Sequence, residues 1–139
     1  MKKIKSIIIA IIATIAFSSC SDDDPARMAW DITATPTENF KATADPDFHP
    51  SVIIDASAKG GEVTLTCTNL NEIHFYQSVS KDAYTSEKCA FSATKTSSNT
   101  LKLTFNEMPT AGTVSEQIIL WAKDRDTTIS STIQINRVP

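Results

Sequence analysis

Few side chains in this sequence could do chemistry. Cys20 is the first: it follows Ser18 and Ser19 and is followed at once by Ser21, Asp22, Asp23 and Asp24, which reads as a lipid attachment point. Cys67 and Cys89 are the other thiols. His49 and His74 are the only histidines, so a three-histidine metal site is impossible. No Cys-x-x-Cys, His-Glu-x-x-His or Gly-x-Ser-x-Gly occurs. Asp45, Asp47 and His49 alternate and could offer oxygen ligands to a cation, but they lack the glycine-bearing loop of an EF-hand. Asp124 and Asp126 flank Arg125 in a short connection, where Asp ordinarily caps turn backbone. Paired carboxylates for glycoside hydrolysis need a cleft that one small β domain does not offer. The inventory predicts no catalytic residues, no metal site, no cofactor and no enzymatic activity.

The aromatic side chains carry more. In Glu72 to Val79, alternation puts Ile73, Phe75 and Val79 on one face and His74 and Tyr76 on the other. In Gln117 to Lys123, Ile118, Leu120 and Ala122 share a face, which leaves Ile119 and Trp121 opposite. If the two segments are neighbouring strands, His74, Tyr76, Ile119 and Trp121 form one outer platform. Such a platform stacks on the apolar face of a sugar ring, with flanking polar groups fixing the hydroxyls. His74, Tyr76 and Trp121 are therefore the ligand-binding candidates.

The elements that must position these residues are strands. Val63, Leu65 and Cys67 alternate with Thr64, Thr66 and Thr68, and the same period returns at Cys89, Phe91, Ala93, at Leu101, Leu103, Phe105 and at Ile129, Ile133, Ile135. With Ser51 to Asp55, Glu72 to Val79 and Ser115 to Lys123, about seven strands are expected. Lys59 to Gly61, Thr96 to Asn99, Pro109 to Gly112 and Asp124 to Asp126 supply the turns. Short strands without helical periodicity predict an all-β antiparallel sandwich of immunoglobulin-like type. Pro25, Pro36, Pro46 and Pro50 interrupt residues 25 to 50, although Ala29 to Thr35 can form a strand carrying Trp30 and Ile32. That region is either a linker or a cover laid across a sheet, and a cover over the His74, Tyr76, Ile119 and Trp121 face would make that face a second small core instead of a binding platform. Trp30 and Phe40 favour the cover, because leaving them in water is costly.

The chain begins with Lys2, Lys3 and Lys5, then an apolar run from Ile7 to Phe17 broken only by Thr14. This is the layout of a secretory signal. The run is roughly half of the ~20 apolar residues that crossing a membrane takes. Phe17 to Cys20 resembles a bacterial lipobox, with Phe17 where an aliphatic residue is usual. The resemblance implies cleavage before Cys20 and a diacylglyceryl, palmitate-bearing cysteine, a stable anchor because each buried methylene adds about 0.8 kcal/mol. Ser21 to Asp24 is similar to the acidic export tag of Bacteroidota lipoproteins. That similarity implies an outer-membrane, cell-surface location.

Without residues 1 to 19 the chain keeps 10 basic and 16 acidic residues, a net charge of −6 with His neutral. Such a surface does not attract nucleic acid. Cys67 and Cys89 are an even pair in an exported chain. They either form a disulfide closing about 22 residues, adding very roughly 3 kcal/mol, or remain two buried thiols. Their inward phase favours the disulfide.

Gly60 to Asn69, GGEVTLTCTN, resembles the strand opening of BACON-like domains, and Ser115 to Arg137 is similar to their closing hairpin. Where members carry a Trp soon after the Asn, this chain has Ile73, Phe75 and Tyr76. The resemblance implies an immunoglobulin-like sandwich of the kind found in surface lipoproteins and glycan-degrading systems of Bacteroidota. The expected organisation is a signal peptide (1–19), an acidic tether (20–27) and a sandwich (28–139) whose residues 28–50 form a covering segment. The expected role is recognition or scaffolding at the cell surface, with glycan as ligand. The alternative is an assembly lipoprotein that pairs with a surface protein through a sheet edge.

Overall fold

Period-two alternation produces two five-stranded sheets around one buried core. The structure is a computed structural model that describes residues 27–77, 79–108 and 112–139. The expected signal peptide, Cys20 and the acidic run lie outside the described residues. The strands are β1 (Trp30–Thr35), β2 (Phe40–Ala44), β3 (Val52–Ser57), β4 (Gly61–Cys67), β5 (His74–Phe75), β6 (Ala83–Ser86), β7 (Phe91–Ser97), β8 (Thr100–Phe105), β9 (Val114–Asp124) and β10 (Thr127–Val138). One sheet has the order β1-β4-β8-β7-β6 and the other β2-β3-β10-β9-β5. Among the described residues, the one helical element is a 3-10 turn at Thr37–Asn39.

The alternation is realised residue by residue. Val63, Leu65 and Cys67 of β4, Leu101 and Leu103 of β8, and Ile133 and Ile135 of β10 have no solvent exposure. They belong to the same apolar cluster as Ile118, Leu120 and Ala122 of β9. Rings join the sheets across the core: Phe40 to Phe105 at 5.4 Å, and Phe75 to Tyr84 at 6.4 Å. Truncating a central member such as Leu103 to Ala would cost about 2–5 kcal/mol. The turn before β4 needs glycine: Gly60 sits at φ +80, and a Cβ there would lie 2.3 Å from the carbonyl oxygen of Phe105.

Four expectations change. All seven expected strands exist, Ala29 to Thr35 supplies β1, and β2 and β6 add two more, so the sheets are larger than the alternation suggested. The pairing is not wholly antiparallel, because β3 runs parallel to β10 with Val52 opposite Ile133. A parallel neighbour leaves no hairpin signature in the sequence, since its connection runs through other elements.

Residues 28–50 do not lie across a sheet. They supply two edge strands, β1 beside β4 and β2 beside β3, one in each sheet. Trp30, Ile32, Ala34, Phe40 and Ala42 pack against the core from those edges. The apolar residues find burial by extending the sheets, so no cover is required.

Cys67 and Cys89 are both free and buried, and the expected disulfide is not formed. Cys67 donates its amide to Asn99 at one end of β8, whereas Ala90, next to Cys89, accepts the amide of Asn106 just past the other end. Those anchor points are seven residues apart along β8, or roughly 23 Å at about 3.3 Å per residue. A disulfide needs Cα atoms within about 7 Å. Both thiols behave as small apolar side chains, and burial pushes both pKa values up.

Candidate functional site

β5 and β9 are neighbours with His74 opposite Trp121 and Phe75 opposite Leu120. This register sends Phe75 and Leu120 into the core and leaves His74 and Trp121 on the outer side. The two rings stack, with centroids 4.3 Å apart and planes 25° from parallel. Strands lie about 4.8 Å apart, so rings that close must stand upright on the sheet. One face of the indole is occupied by the imidazole. On the other side of Trp121, β10 opposes it with the small, exposed Ser130. Trp121 is half-buried.

Tyr76 follows on the same side and donates its amide to the carbonyl of Ile119 at 2.8 Å. Tyr76 is 47% exposed and Ile119 42%. The four residues of the expected platform are thus brought together. The strand that bears them is shorter than the alternation suggested: Gln77 takes φ +57 and turns the chain away. Val79, expected beside Ile73 and Phe75 in the core, is fully exposed.

A cavity of about 410 Å³ opens beside the stacked rings, lined by Asn69–Glu72 on one side and Lys123–Arg125 on the other. Glu72 lies 3.8 Å from His74 Nε2, an ion pair when the imidazole is protonated. Arg125 lies 3.7 Å from Asp124. Arg125 occupies the hairpin between β9 and β10 at φ +57, a conformation that costs a non-glycine residue about 1 kcal/mol. The exposed Asn69 turns its side chain to the start of β1, accepting the amide of Ala29 at 3.0 Å and donating to the carbonyl of Arg27. It therefore pins the start of β1. No residue of 28–50 lines the cavity.

The remaining candidates are structural. Asp45 accepts the amide of Asp47 at 3.0 Å and caps its own turn. Among the described residues, no three His, Cys, Asp or Glu side chains converge as metal ligands. No described helix is long and apolar enough to cross a membrane.

Two polar clusters escaped the sequence reading. The first is Arg137, 1% exposed. It donates to the carbonyls of Cys89 at 2.8 Å, Ala90 at 3.3 Å, Ser57 at 3.0 Å, Ala58 at 3.3 Å and Asn106 at 2.7 Å. The guanidinium also lies 5.4 Å from the centre of the Phe105 ring. Burial lowers its pKa. Its phase was the available signal, since 133, 135 and 137 point the same way. Nearby, Tyr84 donates to Glu116, and burial together with that carboxylate pushes the phenol up to about 12.

The second cluster lies on the outer face beyond Ile119. Gln117 donates to Gln134 at 3.0 Å and Gln134 to Asn136 at 2.9 Å. Asn136 donates to Asp55 at 2.8 Å, and Ser115 donates to Asn136 at 2.7 Å. Gln117 and Ser115 share phase with Trp121, but the partners on β10 and β3 emerge only from the register.

No family model matches this chain, and no curated protein does. A similar solved structure is an NMR structure of a protein from Bacteroides thetaiotaomicron, 14% identical, covering 81% of this chain and 92% of that one with a TM-score of 0.47.

Proposed function

We propose that this chain is a lipid-anchored cell-surface module that recognises glycan through the His74–Trp121 face and performs no catalysis. The observation that carries the reading is the upright His74–Trp121 pair beside a polar-lined cavity of about 410 Å³. A half-exposed aromatic ring with neighbouring amides, carboxylates and amines suits a sugar, which presents an apolar ring face and equatorial hydroxyls together. The strand arrangement supports an immunoglobulin-like class. β4-β8-β7 corresponds to strands B, E and D of that fold, and β10-β9-β5 to G, F and C. The lipid anchor, the outer-membrane location and the cell-surface display rest on the Lys2-to-Asp24 pattern.

A glycan array probed with the full chain and with Trp121→Ala tests the recognition. Binding that the variant loses supports it, and binding by neither protein, or by both alike, removes it. Palmitate labelling of wild type against Cys20→Ser tests the anchor. An equal label in both would remove that part.

A second reading has its own observation. Among the described residues β1 pairs with β4 alone, and the six residues of its other edge carry one charge, Asp31, without the lysines or prolines that protect edges. A partner strand could add there by β-augmentation. In β1 the odd residues bond to β4, as the amide of Thr68 to the carbonyl of Ala29 shows, so the N–H of Ala34 faces the free edge; replacing Ala34 with Pro would abolish such capture and leave glycan binding intact.

A further inference from the structure

Building on the glycan reading of the His74–Trp121 face, we infer that the binding surface continues along β9 onto the ladder of Gln117, Gln134 and Asn136, so that the ligand is an extended neutral polysaccharide chain. The orientation of the ladder follows from its end. Asp55 can only accept, so Asn136 must turn its Nδ2 toward it. The Oδ1 of Asn136 then faces Gln134 and Ser115, which must donate to it. Gln134 is thereby turned so that its Oε1 accepts from Gln117. One carboxylate thus fixes three carboxamides in sequence. Each carboxamide nitrogen carries two N–H groups and the network uses one of each. The second N–H of Gln117, Gln134 and Asn136 remains for a ligand, held in place before binding, which lowers the ordering cost of recognition.

The ladder and the aromatic pair are continuous. Trp121, Ile119, Gln117 and Ser115 occupy successive outer positions of β9, and the opposed positions on β10 are Ser130, Thr132, Gln134 and Asn136. Trp121 to Gln117 spans four residues, about 13 Å at roughly 3.3 Å per residue, well beyond one sugar ring. Every outer side chain in this stretch is uncharged. Charged groups stand at its two ends and carry both signs: Glu72 and Lys123 beside the aromatic pair, and Asp55, hydrogen-bonded to Asn136 and opposed to Lys41 on β2, beyond the ladder. A face with an uncharged middle and mixed ends gives little to an anionic or cationic macromolecule. Free N–H donors beside an aromatic wall complement a chain of hydroxyls and ring oxygens.

The test uses the full chain in native gels containing xyloglucan, galactomannan, mixed-linkage β-glucan or yeast mannan. Calorimetry then follows with oligosaccharides of one to six units from the polymer that retards it. The expected result is affinity that climbs about tenfold from disaccharide to hexasaccharide, the size two added hydrogen bonds give. In the Gln117→Ala/Gln134→Ala double variant the two affinities should coincide. A wild-type affinity independent of length overturns the inference, as does a double variant that keeps the climb. If either occurs while Trp121→Ala still abolishes binding, the aromatic site stands and only its extension fails. Retardation by none of the polymers overturns both.

Discussion

At one end of the sandwich Arg137 gives five hydrogen bonds to carbonyls of three separate segments. Toward the other end, His74 and Trp121 stand on the outer surface beside a cavity edged by Glu72, Lys123 and Asn71. Both clusters gather polar groups from distant parts of the chain, but they use them differently. The guanidinium is turned wholly inward, onto backbone that would otherwise be buried without partners. The groups of the outer face keep hydrogen-bonding capacity toward solvent, and the indole of Trp121 stays half-exposed with the small Ser130 opposite it. The difference separates a polar cluster that holds the fold from one that is available to a ligand.

The largest effect should come from the inward cluster. Arg137→Met keeps the apolar stem and removes the charge, leaving carbonyls at Ser57, Cys89 and Asn106 without their donor. Denaturant titration should show a loss of about 3–5 kcal/mol. A loss under about 1 kcal/mol would mean that water replaces the guanidinium and that this end is open. Trp121→Ala should behave oppositely: glycan affinity falls at least tenfold, while stability changes by about 1 kcal/mol because the indole is only half-buried. A larger loss of stability than of binding would move Trp121 into the structural class.

Tyr84 sharpens the boundary between the two classes. Its phenol is raised from 10.0 to about 12 by burial and by Glu116, so the folded state holds this proton more tightly than the unfolded chain. The contribution is complete below pH 10 and is lost as pH rises from 10 toward 12. Denaturation midpoints should fall across that window in wild type, and the fall should be shallower in Tyr84→Phe. Identical slopes would show that the phenol is not coupled to folding. The thiols give a smaller and purely chemical signature. Cys67 and Cys89 should both resist alkylation in the native protein and both react after unfolding, with no mass change on reduction.

The smallest effect concerns the cavity rim. Arg125→Gly relieves φ +57 at about 1–2 kcal/mol and loses roughly 0.5–1 kcal/mol in unfolded-chain entropy, so a net gain of about 0–1.5 kcal/mol is expected in thermal melts. A loss would show that the Arg125 side chain itself supports the hairpin.

Much of the fold was legible because burial follows phase. Val63, Leu65, Phe91, Leu101, Leu103, Ile118, Leu120, Ile133 and Ile135 are all buried where alternation places them. The platform of His74, Tyr76, Ile119 and Trp121 was legible for the same reason, once two segments proved to be neighbours. The illegible parts depend on contacts far apart in sequence. Trp30 and Phe40 announced burial but not that edge strands in two different sheets would provide it. Cys67 and Cys89 shared an inward phase, and phase carries no information on distance along β8. Gln77 ended β5 through a backbone conformation that a Gln does not advertise, which left Val79 exposed. Arg137 was hidden by its type: a charge in phase with Ile133 and Ile135 is buried only because five carbonyls converge on it. The amide ladder depends on Asp55 lying 81 residues before Asn136.

The central claim is that the half-exposed indole of Trp121 meets a sugar. In a Trp30→Phe background Trp121 is the only indole, since the chain has two tryptophans. Iodide quenching of its fluorescence, with and without a polysaccharide that retards the protein, tests the claim most directly. The account predicts an indole that iodide reaches and that the polysaccharide shields. An indole that iodide cannot reach, or one quenched equally with the polysaccharide bound, would contradict it.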